Sequence, residues 1–404
     1  MSPLPIQVDA LGPASPQLRL AFVTETYPPE VNGVAVTLAR IVREMQARNH
    51  HISLVRPRLA NQAEPGPADA LFEEVLTRGV ALPFYKQLRM GLPAKQDLLN
   101  LWSRRRPDLV HIATEGPLGW SALQAARKLR IPVSTDFRTN FHAYSHHYKL
   151  GWLKGAIVAY LRRFHNAAQV TMVPTPALAR DLATLGFERL EVVPRGVDAG
   201  RFSPGFRSDA LRAHWGAGPG DKVLLNVGRL AQEKNLDLVV QAYEHARRRH
   251  PVKLVLVGDG PLAGALAQRC PGAFFAGFRS GDDLAAHYAS ADLFLFPSQT
   301  ETFGNVVVEA LASGLPVVSF DLAAASELIT DREQGRLFHP ADTRGFVGAT
   351  NEILGVEGLL PAMAQRARAI AEQQSWSAIA ERTERIMLGA LYRSEAWPAP
   401  AWAV

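Results

Sequence analysis

Short unbroken apolar runs alternate along this chain with segments of helical period, in two successive series. The first series has strand-like runs at residues 18–23, 52–55, 109–112, 133–135, 170–173 and 190–193. Between the first two runs, Leu38, Ile41, Val42 and Met45 recur at i, i+3, i+4 and i+7, which is one face of a helix. Residues 60–91 are rich in turn formers and break the rhythm. Residues 204–220 hold six glycines and prolines and read as the linker side of a boundary. The rhythm then restarts, with runs at 223–227, 254–257, 273–276, 293–296 and 317–320. Unbroken apolar strands are what a parallel sheet buried on both faces requires. Two such strand–helix series predict two doubly wound α/β domains, with ligands at the carboxyl ends of the strands and in the cleft between domains.

The expected division is a loose leader at 1–17, an N-terminal domain at 18–200 and a C-terminal domain at 201–373. A helix at 374–392 is expected to cross back to the N-terminal domain, followed by a tail at 393–404. A length of 404 residues suits two domains, and 47% hydrophobic with 20% charged residues suits two ordinary cores. Cys270 is the single cysteine, so an intrachain disulfide and a cysteine-based metal site are both excluded. That agrees with a reducing, cytoplasmic setting. Residues 1–17 contain four prolines but neither a basic start nor an apolar run, unlike a signal peptide. No run of about 18 apolar residues exists that would span a bilayer. The formal charge of +6 fits either a solvated basic surface or an anionic partner. No nucleic-acid module accompanies it, so nucleic acid is not an expected partner.

Four stretches carry chemistry, each just after a strand candidate. In Ser298-Gln-Thr-Glu301-Thr-Phe303-Gly304-Asn305-Val-Val-Val-Glu309, two carboxylates flank a Gly-Asn pair that opens a helix. The free amides and positive dipole end of a helix N-terminus suit a phosphate, and carboxylates beside it can accept hydrogen bonds from sugar or ribose hydroxyls. The bland alternative is a capped surface helix with two solvated glutamates. In Asn226-Val-Gly228-Arg229-Leu-Ala-Gln-Glu233-Lys234-Asn235, a planar guanidinium and an ammonium can clamp a diphosphate, or simply pair with Glu233. Pro28-Pro29-Glu30-Val31-Asn32-Gly33-Val34 offers a glycine at the next helix start, though an Asn-Gly pair is often only a turn. Thr135-Asp136-Phe137-Arg138-Thr139-Asn140-Phe141-His142 ends in an imidazole able to bond a sugar hydroxyl. His142 and His146 also have i, i+4 metal spacing, but no nearby motif completes a metal site. A fifth stretch, Gly258-Asp-Gly260-Pro-Leu-Ala263, fits the dinucleotide fingerprint, yet it sits on the second strand of its domain and lacks the ribose-binding acid.

Together these stretches resemble the family-4 retaining glycosyltransferases, in family order and from about residue 18 to 392. The resemblance implies the GT-B fold, with two Rossmann-like domains facing across a cleft. It implies that Glu301 meets sugar hydroxyls, that Glu309 holds the nucleotide ribose, and that the amides of Phe303, Gly304 and Asn305 lie near the distal phosphate. It makes Arg229 and Lys234 the cations that neutralise the leaving diphosphate. Gly33 becomes part of the N-terminal glycine loop, His142 the group beside the donor sugar, and Gly260 part of the turn near the base. Arg195, in Pro194-Arg195-Gly196-Val197-Asp198, becomes a phosphate contact or a cap of the hinge. The implied reaction uses a nucleotide-diphosphate sugar as co-substrate, with no separate cofactor and no metal. The pattern, including Thr114-Glu-Gly-Pro-Leu-Gly119, resembles bacterial glycolipid-forming branches, similar to sulfoquinovosyl diacylglycerol synthases and GDP-mannose-dependent mannosyltransferases. A lipid acceptor would fit two apolar-basic stretches, at residues 82–90 and 152–164, which suit an anionic membrane surface or an ordinary core helix with basic ends. Two rival readings remain: a GT-B-shaped nucleotide-sugar epimerase, which needs no acceptor, and a non-catalytic sugar-nucleotide-binding protein.

Overall fold

The computed structural model describes residues 16–30, 32–59, 65, 68–82, 85–138, 151–301 and 303–392. His142, most of the 1–17 leader and the 393–404 tail lie outside the described residues.

The N-terminal half begins with β1 (Arg19–Val23), α1 (Gly33–Ala47), β2 (His51–Pro57) and β3 (Phe72–Thr77). A hairpin, β4 (Gly79–Leu82) and β5 (Tyr85–Gly91), leads to α2 (Lys95–Arg104), β6 (Leu109–Ile112) and α3 (Pro117–Lys128). Then follow β7 (Val133–Asp136), α4 (Gly151–His165), β8 (Val170–Val173), α5 (Pro176–Thr184) and β9 (Leu190–Val192). Seven of these strands pair in parallel in the order β3-β2-β1-β6-β7-β8-β9. Register is set at β1, where Leu20 faces Ile52 on one side and Leu109 on the other. Alternation along β1 sends Leu20 and Phe22 into one core with α1, while Ala21 and Val23 enter a second with α2 and α3. This double burial is why the strand has no polar face.

The C-terminal half runs through α6 (Asp209–His214), β10 (Lys222–Val227), α7 (Leu236–Ala246), β11 (Val252–Val257), α8 (Ala263–Arg269), β12 (Ala273–Gly277) and α9 (Gly281–Ser290). It continues with β13 (Leu293–Phe296), α10 (Asn305–Ala312), β14 (Val317–Phe320), α11 (Ala323–Leu328), β15 (Gly335–Phe338), α12 (Thr343–Leu354) and α13 (Leu359–Glu372). Its sheet has the order β12-β11-β10-β13-β14-β15, again parallel. The strand order reverses beside β1 in one sheet and beside β10 in the other, and at such points the loops diverge to leave a crevice. The molecule therefore has the expected architecture of two doubly wound, Rossmann-like sheets.

The last helix, α14 (Trp376–Tyr392), leaves the C-terminal half and packs Ile379, Ala380, Met387 and Ala390 into the core shared with α1 and β1. No helix among the described residues is long and apolar enough to cross a membrane.

Three local expectations need correction. Residues 60–91 are not merely a break: they hold β3 and the β4–β5 hairpin. The 204–220 stretch carries a 3-10 turn at Pro204–Phe206 and α6, whose N-cap Ser208 accepts from the Leu211 amide at 3.2 Å. A sixth strand, β15, extends the C-terminal sheet beyond the five anticipated runs. Both β3 and β15 are edge strands, and an edge lacks the two-sided burial that makes the central strands visible in sequence.

Candidate functional site

Two loops at the carboxyl edge of the C-terminal sheet meet at its switch point. One leaves β10, the other β13, and the two strands are direct neighbours, Leu225 opposite Phe294. Asn226, buried near the end of β10, donates from Nδ2 to the Leu295 carbonyl at 2.8 Å and fixes the strand ends together. Beyond them, the Gln299 amide donates to the Glu233 carbonyl at 3.1 Å. Lys234 then reaches across to Glu301: its Nζ donates to Oε1, the same oxygen that accepts from Ser298 Oγ at 2.8 Å. The Lys234 ammonium also sits 5.4 Å from the centre of the Phe296 ring. Lys234 and Glu301 are 67 positions apart in sequence, and both are mostly buried.

Arg229 behaves differently. It pairs with Glu233 within its own loop, Nε to Oε1 at 3.2 Å, and remains 61% exposed on its side chain. An exposed pair of this kind is weakly held, so an incoming anion can take the guanidinium from it. Burial alone would raise the Glu233 carboxyl, but the Arg229 hydrogen bond and charge prevail and hold it below the usual range.

The β13 loop turns into α10 at Gly304, whose φ of 90° lies in the left-handed region that a side chain strains. Phe303 is buried and its carbonyl accepts from the Ala324 amide at 2.8 Å, which locks the turn to α11. Among the described residues no side-chain hydrogen bond caps α10 and its first turn has no acid, while the Val307 amide bonds back to the Gly304 carbonyl at 3.0 Å. By contrast α1 is capped: Asn32 Oδ1 accepts from the Val34 and Ala35 amides at 3.1 and 2.9 Å. Gly33 stands in that capped turn, and a Cβ added there would meet nothing within 4 Å. The two glycine turns thus differ: α1 has a side-chain cap and α10 shows none among the described residues.

Inside α10, Glu309 accepts a hydrogen bond from Tyr288 Oη at 3.0 Å. Burial pushes its carboxyl up to about 7, with the Tyr288 bond opposing the shift. Burial likewise raises the Tyr288 hydroxyl, and the Glu309 charge adds to the effect. Sequence reasoning missed Tyr288, because nothing in the period of α9 marks it as a partner of a residue 21 positions away.

Gly260 lies where the β11 loop crosses the β10 loop: a Cβ there would stand 2.5 Å from the Leu230 carbonyl oxygen. Around it the Leu230 amide donates to Asp259 and the Leu262 amide to Leu230, both at 2.9 Å. This glycine allows two backbones to touch, which clips the β11 turn to the arginine-lysine loop.

Arg195 lies on the other half, after β9, and is 8% exposed. It shares its surroundings with Asp136, at the end of β7, and with Arg138. Burial first, and then the Arg138 charge, bring its guanidinium down to about 9. The Asp136–Arg138 pair was also missed, although both stand in the stretch that ends at His142.

Two family models match the chain, "Glycosyltransferase Family 4" over residues 31–201 and "Glycosyl transferases group 1" over residues 221–355. The chain is 33% identical to a GDP-mannose-dependent alpha-mannosyltransferase of Corynebacterium glutamicum, over 83% of this chain and 80% of that one. It is 30% identical to the sulfoquinovosyl transferase SQD2 of Arabidopsis thaliana, over 75% of this chain and 60% of that one. Anabaena HepE, solved in complex with UDP, superimposes with a TM-score of 0.74 over 92% of this chain and 100% of its own, at 19% identity, a likeness of fold. With the paired switch points and the level of identity to the mannosyltransferase in agreement, the chain belongs to the family-4 glycosyltransferases and is a glycosyltransferase of GT-B fold.

Proposed function

We propose that this enzyme is a retaining transferase that moves a hexosyl group from a UDP- or GDP-linked sugar to a hydroxyl of a membrane lipid, without a metal. The observation that carries the reading is the junction at the C-terminal switch point. There the loops that leave β10 and β13 carry the Lys234–Glu301 contact, and the second of them leads into α10, which starts without a side-chain cap among the described residues and bears the half-buried Glu309. In this reading the diphosphate lies on the α10 amides and displaces Glu233 from Arg229. Lys234 holds the second phosphate, and its bond to Glu301 orients that carboxylate for the sugar hydroxyls. Glu309 accepts from the ribose. Breaking the bond between C1 and the phosphate oxygen leaves negative charge on the diphosphate, where Arg229, Lys234 and the amides stabilise it. The acceptor hydroxyl forms the new C1–O bond on the same face, and its proton passes to the departing phosphate oxygen. Closure over the crevice excludes water and aligns the two reactants. His142 is assigned to the sugar side by its motif alone.

The names of the relatives support a sugar donor and a lipid product: one is GDP-mannose-dependent, one is a sulfoquinovosyl transferase, and a third, 28% identical and the one whose name carries a lipid, is the alpha-monoglucosyldiacylglycerol synthase of Streptococcus pneumoniae. The basic residues Arg162 and Arg163 stand exposed on α4, which supports contact with an anionic membrane face.

The test is donor consumption. Labelled UDP- and GDP-sugars are offered with and without membrane lipid, and product is scored for anomeric configuration. Transfer only with lipid supports the reading; isomerised sugar without lipid identifies an epimerase, and binding without turnover a non-catalytic protein. Arg229→Ala should lower kcat by about 10²–10³, as removal of one transition-state charge partner does. Glu309→Ala should act mainly on nucleotide affinity. Wild-type rates in both variants would end the assignment.

A further inference from the structure

The N-terminal half contains a buried charge imbalance that the donor site does not use. Asp136 closes β7 and is the one carboxylate in the cluster. Arg138 Nε donates to its Oδ2 at 2.9 Å, and Nη2 donates to the same oxygen. His111 on β6 brings Nε2 to 3.5 Å from that oxygen, while its Nδ1 lies 2.9 Å from Ser134 Oγ. Although burial opposes it, the Arg138 and His111 contacts keep the Asp136 carboxyl well below the usual range, so it is charged. Arg195 is the second cation and, like Arg138, is 8% exposed. Among the described residues it forms no hydrogen bond or ion pair. Arg138 Nη1 is buried and likewise has no hydrogen-bond partner among them. Asp198, three positions beyond Arg195, is paired with Arg40 at 3.3 Å.

Arg195 stands near enough to Asp136 and Arg138 for both charges to act on its guanidinium, so among the described residues two buried guanidinium groups share one carboxylate. A buried cation without a counter-charge is costly, and two beside each other add repulsion. A structural salt bridge would need only one arginine. The surplus is relieved by an anion, and the planar fork of arginine suits a phosphate-type oxyanion. The cluster lies at the carboxyl edge of the N-terminal sheet, where β7, β8 and β9 end side by side, which is the edge at which α/β sheets take ligands. It is on the opposite half from Arg229 and Lys234, so the donor diphosphate already has its own cations.

We propose that Arg138 and Arg195 form a second oxyanion subsite, for a phosphate group carried by the acceptor. The proposal rests on the transferase reading above and narrows its acceptor from any lipid hydroxyl to a phosphate-bearing one. Arg195 provides the open guanidinium and Arg138 the free Nη1. Asp136 positions Arg138 and holds the pair together until the anion arrives.

The test uses the full chain, saturated with whichever nucleoside diphosphate raises its thermal transition, so that the donor site is filled. Sodium phosphate at tens of millimolar should then raise the transition further, relative to sodium chloride at equal ionic strength. Arg195→Gln should abolish that added rise and Arg195→Lys should keep part of it. Arg138→Gln should behave like Arg195→Gln; if it does not fold, Arg195→Gln still decides, because Asp136 keeps its partner there. Glycerol 3-phosphate and phosphatidylglycerol vesicles, run as separate arms against phosphatidylcholine vesicles, tell a soluble phosphate ester from a lipid head group. Binding of either that is lost in Arg195→Gln supports the subsite. In turnover with that acceptor, Arg195→Gln should raise KM at least tenfold and change kcat far less. The proposal is overturned if phosphate adds nothing to the nucleotide-bound protein, or if the added rise survives in both glutamine variants. It is also overturned if Arg195→Gln weakens the nucleoside diphosphate instead, which would assign the pair to the donor. Failure of the transferase reading shows separately, as no response to any nucleoside diphosphate.

Discussion

A carboxyl group that titrates near 7 makes Glu309 a proton-dependent contact. Its ordinary value is 4.5, and burial raises it to about 7 in the folded protein. Between those two values the folded state holds the proton and the unfolded state does not, so the ligand-free fold loses stability as pH rises from 4.5 to about 7. Nucleotide binding runs the other way if a charged Glu309 accepts from ribose hydroxyls: affinity should improve as pH rises through 7. Calorimetric titration of a nucleoside diphosphate from pH 5.5 to 8.5 should show affinity falling by roughly tenfold toward the acid end. Tyr288→Phe removes the one bond that opposes the shift, so the midpoint should move to higher pH. A flat profile in the wild type would separate Glu309 from the nucleotide. The same residue shows what the sequence can and cannot convey. Its distance from Glu301 and the intervening Gly304 are visible in the chain, but its raised pKa depends on packing under Tyr288 of another helix.

At the scale of single elements, the β4–β5 hairpin depends on one carboxylate. Glu25, just past β1, accepts from the Gly91 amide at the end of β5 and from the Leu118 amide in the first turn of α3 at 3.0 Å. Gly116 must be glycine for this to fit: a Cβ there would stand 2.2 Å from Glu25 Oε1. Burial raises the Glu25 carboxyl, with the Gly91, Leu118 and Gly119 amides opposing. Glu25→Gln keeps one acceptor oxygen and loses the charge, which should cost about 1–3 kcal/mol of local stability. Hydrogen exchange should then speed up in residues 79–91 more than in β1 or β6, and equal exchange would show that the hairpin stands without its anchor. This hairpin was not legible beforehand. Central strands such as β10 and β13 are continuous apolar runs because helices cover both faces. The sequence Phe-Glu-Glu-Val-Leu-Thr of β3, half-buried at every position, carries no such signal. The helical period of α1 was legible for the same physical reason as the central strands, since Leu38, Ile41, Val42 and Met45 are all buried. The Lys234–Glu301 bridge was not, because only the β10–β13 pairing brings those loops together.

At the scale of the molecule, the two halves are joined by two crossings that run side by side. The outgoing chain passes at Val197, whose amide donates to the Gln374 carbonyl of the returning chain at 2.8 Å. Gly196 lies so close to Trp376 that a Cβ there would come within 2.7 Å of the indole. Past this point α14 is held to the N-terminal half by a buried acid. Glu384 Oε2 accepts from Arg48 Nη1 at 3.2 Å, and its Oε1 lies 3.0 Å from His50 Nε2. His50 Nδ1 accepts from the Leu18 amide at 3.1 Å, so Nε2 is the nitrogen that carries a proton and donates to Glu384. Glu384→Ala strips the acceptor from a buried imidazole and a half-buried guanidinium, at a cost of about 3 kcal/mol. Because Arg229, Lys234 and Glu309 all stand on the other half, nucleotide affinity should be unchanged while the denaturant midpoint falls. Glu384→Gln, which can still accept from His50, should recover a good part of the loss. A variant with wild-type stability and weakened nucleotide binding would reverse this view, making α14 part of the donor site. The expected result instead makes α14 a strap that anchors the returning chain to the N-terminal half through Glu384, Arg48 and His50 and leaves the Arg229–Lys234 side of the molecule untouched.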